Sequence, residues 1–540
     1  MIQNPILPGF NPDPCICRKG DDFYVAVSTF EWMPGIPVYH SKDLKHWELL
    51  THILNDERVD LKKLPSAKGL WAPCLTWCDE EKQFYLIYGV MNSMNARYFD
   101  VDNFLVTAPD IEGPWSEPVY IHSAGFDASI LHDEHGKKYI VSLEWETRDG
   151  YDKPGPICIV EYSPVEKAVV GVPRRIWNGA TDRGCLEAPH LTKRNGLYYL
   201  MCAEGGTGYN HCVTMARSQN VFGPYEADPY GPILTSNPGR FAERDDVDHL
   251  KPHHYNPAVA LQKAGHGSYV NLSDDVAYMV HLCARPIMPE KRCTLGRETA
   301  ILPMRWTQDG WLRQSDGSVL PKTEVPEPCL PEYPLPAMPT MDDFDGQALQ
   351  NFYYAPRIMP WRFADQLARP GWIRIRGQES LSSLNKVSLL ARKLTGLNAC
   401  VTTKMEFTPT LPQHEAGLVF YYDNMDYFVL AKHWSESLGQ EVLRVTTMDN
   451  GVRKQYERVC VAGDVPLWLR LQISGRESQF YFSCDGIDFH AIGPVYDISK
   501  LSDEYCSFGE FTGSMVGIYC VDRMFRRRYA DFDFFEYLEL

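Results

Sequence analysis

Positive charge is in short supply along this 540-residue chain: 53 Lys and Arg stand against 70 Asp and Glu, a net charge of −17. A surface of that sign repels phosphate backbones and offers no polybasic patch to anionic lipid, which argues against nucleic acid or a membrane as partner. Long apolar runs are missing too. No stretch approaches the roughly 18 residues of a transmembrane helix. The opening MIQNPILPGFNPDP has neither a basic segment nor an apolar h-region, so no secretory signal is read and a cytoplasmic location is expected. No long segment shows helical periodicity. The 16 cysteines are scattered through β-like runs. Cys15 and Cys17 form C-x-C, Cys74 and Cys78 form C-x3-C, and neither has the paired C-x2-C or the histidines of a zinc site. They read as reduced, mostly buried thiols.

What is present is β structure in quantity. Apolar residues make up 44% of the chain and aromatics 12%, ample for large cores, and the length calls for two or three domains. Aromatic β-rich runs (FYVAVS, FYLIYG, KYIVSL, YYLMCA, AYMVHL) recur with polar turns between them. Each follows a run headed by a distinctive residue: Asp13, Trp71, Asp127, Glu187 and His266, at steps of 58, 56, 60 and 79 residues. Three or four short strands per unit, repeated five times, predict a five-bladed β-propeller over residues 1–320. The long last step carries an extra loop over roughly 226–256, rich in Pro, Asp and His. A Pro-rich stretch at 321–340 reads as a linker. The alternating runs after it, with turns at Asn450-Gly451 and Asp485-Gly486, predict a β-sandwich over 341–540. The fold class is all-β.

In a propeller the leading ends of the innermost strands converge at one mouth of the central channel. Equivalent blade positions would bring Asp13, Asp127, Glu187 and His266 face to face there, with Trp71 alongside. Three carboxylates beside an aromatic platform suit cleavage of a glycosidic bond: one protonated to donate to the leaving oxygen, one ionised to activate water or attack, a third to tune the others. Trp71, Trp145 and Phe30 are placed to pack on the apolar face of a sugar. Plainer readings stand beside these. Asp13 in N-P-D-P is a turn former; Asp127 and Glu187 can be solvated strand ends; His266 is either a hydrogen-bonded core histidine or the ligand of a metal or water on the axis. Arg297 either clamps substrate hydroxyls or neutralises the acids. A sugar-binding propeller without catalysis is the alternative class, though binding alone does not need three carboxylates at equivalent positions.

The motifs NPILPGFNPDP, STFEWMPGIPVYHSKDLKHW, GLWAPCL, GFDASI, EAPHL, AEGGTGY, GHGS and LGRETAI, with ARPGWIRIRG and FTGSMVGI further on, resemble the β-xylosidases of glycoside hydrolase family 43 over essentially the full length. The resemblance implies a five-bladed propeller plus sandwich and an inverting single displacement. It implies Asp13 as general base, Glu187 as general acid, Asp127 as the residue that raises the acid's pKa and positions it, and Arg297 as a ligand of sugar hydroxyls. Inversion needs carboxyls ~6.5–9.5 Å apart to admit water. A sandwich loop would place Phe511 at the mouth, closing a short site for exo action on xylo-oligosaccharides. No cofactor is required; some relatives hold a divalent cation at the GHGS histidine, so calcium near His266 is expected as an option, and many relatives are homo-oligomers. This chain has Glu510-Phe511 where two adjacent aromatics are common, and Arg183-Gly184-Cys185-Leu186 before the acid, which bears on subsites. An α-L-arabinofuranosidase, or a dual activity, is the close alternative.

Overall fold

Short β-rich runs joined by tight polar turns can bury their apolar faces only by stacking sheet on sheet, and the first 325 residues do so in a ring. A computed structural model describes residues 1–95, 97–151, 155–239, 250–461, 465–507 and 510–540, apart from the side chains of 135, 457, 458 and 460. Five antiparallel meanders follow one another. Blade 1 consists of Cys15–Lys19, Asp22–Ala26, Gly35–Ser41 and Glu48–Leu54, and blade 2 of Gly69–Cys78, Gln83–Asn95, Tyr98–Ala108 and Val119–His122. Blade 3 comprises Ser129–His132, Lys138–Leu143, Ile157–Ser163 and Ala168–Trp177. Blade 4 holds Glu187–Arg194, Leu197–Glu204, Cys212–Ser218 and Glu226–Ala227, with Leu234–Thr235 added beside the third strand. Blade 5 is Gln262–Asn271, Val276–Ala284, Glu298–Trp306 and Leu312–Gln314. The first strand of each blade is innermost. Cys15–Lys19 lies between Gly69–Cys78 and Gln262–Asn271, which closes the circle. Of the predicted extra loop at 226–256, residues 240–249 lie outside the described residues.

The chain start completes the closure. Ile2–Gln3 pairs with Glu324–Val325. The Asn4 side chain exchanges two hydrogen bonds with the Ile301 backbone, Gly9 N donates to Glu298 Oε1 at 2.8 Å, and Asn11 N donates to the Arg297 carbonyl. The predicted linker is therefore shorter than its proline content implied. Its first residues, through Val325, belong to the propeller, because the N-terminal strand offers an edge that needs a partner.

The second half is a two-sheet sandwich. One sheet contains Leu389–Lys393, Met515–Asp522, His414–Asp423, Asp426–Ser435, Gln440–Asp449 and Val452–Cys460, in that order. The other is built on Ala364–Arg369, Trp372–Arg376, Tyr529–Glu539, Asn398–Glu406, Leu467–Ser474, Glu477–Ser483 and His490–Asp497, with Met341–Asp342 on Tyr529–Glu539. Leu418, Phe420, Leu430, Val516 and Ile518 point into the sandwich core. Their neighbours Val419, Tyr421, Val429, Tyr519 and Val521 share a second core with Phe10, Phe30, Trp32 and Trp71 of the propeller. Successive residues of a strand face opposite ways, so a sheet covered on both faces reads as the unbroken apolar runs GLVFYY and YFVLA. The domains also share a strand pair, Trp32–Met33 with Ala355–Pro356, and an edge-on ring contact between Trp32 and Tyr421.

Candidate active site

At equivalent places, just before or early in each innermost strand, one residue adopts the left-handed backbone region: Asp13 (φ 56°), Ala72 (36°), Asp127 (54°), Ala188 (48°) and His266 (47°). Such φ values in residues other than glycine cost of order 1–3 kcal/mol each and persist where surrounding structure enforces them. In blades 2, 4 and 5 the ladder bulges at this point: Trp71 faces Gly89, Glu187 faces Ala203 and Gly265 faces Leu282, after which pairing resumes at Cys74, His190 and Ser268. This register corrects the sequence reading. Asp13, Asp127 and His266 are equivalent; Trp71 and Glu187 stand one residue ahead, and their blades present Ala72 and Ala188 at the shared place. A bulge inserts a residue without disturbing the period of the repeat, so spacing alone does not reveal the offset.

The structure brings Asp13, His266 and Arg297 into contact. Asp13 accepts from Ser28 Oγ on one oxygen (2.7 Å) and from Arg297 Nη1 on the other (2.9 Å), and its Oδ1 lies 3.8 Å from His266 Nδ1. Ser28 Oγ itself accepts from Ala72 N at 2.7 Å, tying blade 2 to Asp13. Asp13 is thus held as an acceptor on both oxygens, the role a base needs. Asp127 Oδ2 accepts from Ala188 N at 2.9 Å, so it grips the residue next to Glu187. Burial first, then the charges of Glu187 and Asp13, push the Asp127 carboxyl well above the usual carboxylate range, with the Ala188 N–H and Arg297 opposing. Like charges this close are not all ionised at once, and the proton belongs to the group rather than to one member. Burial also pushes His266 down, against the pull of Asp13 and with that of Arg297. Burial and His266 together push His190 down to about 3.

Arg297 is 3% exposed. Besides Asp13 it donates to Thr207 Oγ1 (2.7 Å) and to the Phe511 carbonyl (3.0 Å), and its guanidinium lies 5.6 Å from the ring centres of Phe30 and Phe511. It therefore joins the acidic group to the sandwich loop. Phe511 itself is left-handed (φ 66°). Gly296 and Gly513 make that approach feasible: a Cβ on Gly296 would fall 2.8 Å from Gly513 Cα, and one on Gly513 would fall 2.7 Å from the Leu295 carbonyl oxygen.

Trp71 is the hub of the aromatic lining, edge-on to Phe30, Phe126 and Phe511 at 5.5–5.8 Å between centres. Phe30, expected as a sugar platform, packs into the same aromatic cluster. At 1% exposure it is a wall behind Trp71, packed on Phe10 and capped by Arg297. Trp145 has one face covered by Phe99, stacked at 3.8 Å, and is held by Nε1 donating to the Arg97 carbonyl. Phe99 and Phe126 are additions that the sequence did not single out.

The strand carrying Glu187 is set by a polar frame whose role the sequence did not reveal. Glu204 accepts from the backbone N–H of Ala180 and Thr181 and from Thr214 Oγ1. Arg183, buried, donates to the Asn210 and Asn237 carbonyls and to Thr235 Oγ1. Glu204 and Thr207 both sit in AEGGTGY, so the motif marked the place without revealing the jobs.

Comparison with known proteins agrees with this architecture. Residues 2–312 match the family model "Glycosyl hydrolases family 43", and residues 341–538 match "Beta xylosidase C-terminal Concanavalin A-like domain". A Vibrio protein named xylan 1,3-beta-xylosidase is 39% identical over 100% of this chain and 99% of its own. A Bacillus subtilis beta-xylosidase is likewise 39% identical over 100% and 99%. The crystal structure of a xylan beta-1,4-xylosidase from Bacillus halodurans superposes with a TM-score of 0.94 at 42% identity, covering both chains completely. A propeller whose channel mouth gathers three carboxylates under a sandwich loop, matched along its whole length by these proteins, is a glycoside hydrolase, and the chain belongs to glycosyl hydrolase family 43.

Proposed function

We propose that this enzyme is an inverting exo-β-xylosidase that releases D-xylose from the non-reducing ends of short β-1,4-xylo-oligosaccharides. The observation that carries the reading is the pairing of Asp13, fixed as an acceptor by Ser28 and Arg297, with Glu187, whose neighbour is gripped by Asp127. In a single displacement, Asp13 takes a proton from water as that water attacks the anomeric carbon. Glu187 gives its proton to the departing glycosidic oxygen. Asp127 supports the acid in two ways: it fixes the backbone beside Glu187, and because the two carboxyls cannot both be ionised in one buried site, the pair keeps a proton that Glu187 can donate. Arg297 orients sugar hydroxyls while neutralising Asp13. Phe511, tied to Arg297 through its carbonyl, closes the far wall, which favours a single sugar at the dead end.

The names of relatives favour a second reading. A Humicola insolens protein named xylosidase/arabinosidase 43B is 38% identical over 99% of this chain. Arabinofuranose and xylopyranose can present similar hydroxyls to one pocket, so an α-L-arabinofuranosidase activity is the alternative. The linkage is open to the same test, since the Vibrio relative is named for 1,3-xylan. No cofactor enters the reaction as drawn. A calcium ion near His266 would be held by that imidazole, beside which Asp13 Oδ1 lies 3.8 Å away. Among the described residues, the groups of three ligand-bearing side chains do not include His266, and calcium prefers six to eight oxygens. The described cysteines are free thiols, which supports a reducing, cytoplasmic setting, and assembly into homo-oligomers is carried over from the resemblance.

The deciding experiment compares hydrolysis of nitrophenyl β-xyloside, nitrophenyl α-arabinofuranoside and the 1,3- and 1,4-linked xylobioses by wild type, Asp13→Ala and Glu187→Ala. Each substitution is expected to lower kcat by about 10²–10⁴, and NMR should show α-xylose as the first product. Full activity in both variants, or β-xylose first, would overturn the mechanism.

A further inference from the structure

Two residues beyond each left-handed position lies a second tier of the channel: Cys15, Cys74, Ser129, His190 and Ser268, one from the innermost strand of each blade. Cys15 and Cys74 are 2% and 3% exposed. Their sulfurs and a ring nitrogen of His190 all lie within 4.8 Å of one another. Ser268 Oγ sits 3.8 Å from Cys15 Sγ and also accepts from Ile16 N. The local patterns C-x-C and C-x3-C belong to other pairings along single strands. Only closure of the ring sets one cysteine of each beside a histidine from across the channel.

We propose that Cys15, Cys74 and His190 form a thiophilic metal site on the channel axis, suited to Zn²⁺, with the Ser268 hydroxyl or a water in the fourth place. Zinc takes four tetrahedral ligands at ~2.3 Å from sulfur and ~2.0–2.1 Å from nitrogen. Ligand atoms in such a sphere stand roughly 3.3–3.8 Å apart, which small side-chain rotations reach from the separations present. Charge balances as well: two thiolates and a neutral imidazole around a divalent cation leave no net charge in a buried place, and binding releases the two thiol protons. The donor set selects against calcium, which wants oxygen. Because the ligands come from blades 1, 2 and 4, a bound ion would cross-link the ring below the carboxylates.

The test uses the full-length enzyme, reduced and stripped with EDTA, then titrated with Co²⁺. A sulfur-to-cobalt charge-transfer absorption with intense tetrahedral visible bands is expected at one equivalent per chain, displaced by Zn²⁺, and Zn²⁺ should raise Tm. Cys15→Ser and Cys74→Ser should each remove the charge-transfer absorption and weaken Zn²⁺ binding at least about tenfold, while Cys17→Ser leaves both unchanged. The wild-type spectrum tests the site without any substitution. A cobalt spectrum lacking sulfur character overturns the proposal. So does Zn²⁺ affinity equal in wild type and the Cys15→Ser/Cys74→Ser double variant. Loss of two thiols to a disulfide, with no metal bound after reduction, overturns it too.

Discussion

The segment that delivers Phe511 is anchored by charges with no access to water, and that makes its closure open to a quantitative test. Lys263, on the innermost strand of blade 5, lies 2.7 Å from Glu504 and 3.6 Å from Asp503, and the three side chains are 0%, 2% and 1% exposed. Glu504 also accepts from Cys293 N at 2.9 Å. Burial works against the Lys263 ammonium, yet neighbouring Cys293, Glu504 and Asp503 hold it above its usual value. Lys263→Met would strand two carboxylates in the domain interface, and breaking a buried pair in this way costs about 3–5 kcal/mol. The hydrogen bonds that tie the loop tip, Arg297 to the Phe511 carbonyl and Ser514 N to the Thr294 carbonyl, are worth roughly 1 kcal/mol each. The loop should therefore open before either domain unfolds. Each 1.4 kcal/mol spent on re-closing it raises KM about tenfold. Steady-state kinetics on xylobiose, with urea unfolding of Lys263→Met, Glu504→Gln and the double variant, form a double-mutant cycle. The double variant should recover about 1–3 kcal/mol relative to additivity, because it removes one buried charge of each sign. Additive stabilities with an unchanged KM would refute the argument.

Two further predictions concern protonation. Asp127 keeps its proton to higher pH in the folded chain than an ordinary aspartate does, so folding is disfavoured as pH rises above the unfolded pKa. Asp127→Asn can still accept from Ala188 N; it should raise Tm at pH 7, with the gain vanishing toward pH 3, while kcat falls, and a lower Tm at pH 7 would refute this. Lys393 is buried where the domains meet, donating to Asn11 Oδ1 at 2.7 Å, and burial pushes it down to about 7 from 10.5. Its cost to stability is full below pH 7 and fades as pH rises toward 10.5, with an upper bound of about 5 kcal/mol. Lys393→Met should therefore unfold at higher urea than wild type at pH 6, and the gap should narrow by pH 10; a gap independent of pH would exclude the titration.

The blade repeat was legible in the sequence because strands of similar length bury the same face and leave polar turns at a steady period. The sandwich was legible for the same reason. The offset at Trp71 and Glu187 was hidden, since a bulge and a regular pair have the same length in sequence. An aromatic beside a motif, such as Phe30, looks alike in sequence whether it faces a cavity or backs a wall; its packing against Phe10, Trp71 and Arg297 becomes visible only in the fold. Arg183 stood out only as a departure beside the acid and Glu204 only as part of AEGGTGY; their carbonyl and amide partners become visible only once blade 4 has folded. The same holds for Cys15, Cys74 and His190, which lie 59 or more residues apart in sequence and meet at the axis.

The offset at the innermost strands has a consequence for anyone moving chemistry around this ring. Every blade offers two addresses, the left-handed residue and the one before it, and they are used differently. Short aspartates and the axial histidine occupy the first; the longer Glu187 and the bulky Trp71 occupy the second. An acid grafted onto blade 5 in imitation of Glu187 would have to replace Gly265, not His266, and an added Cβ there would collide with the His211 ring at 2.2 Å. Transplanting a function between blades thus depends less on which residue is copied than on whether the receiving blade has an open second address.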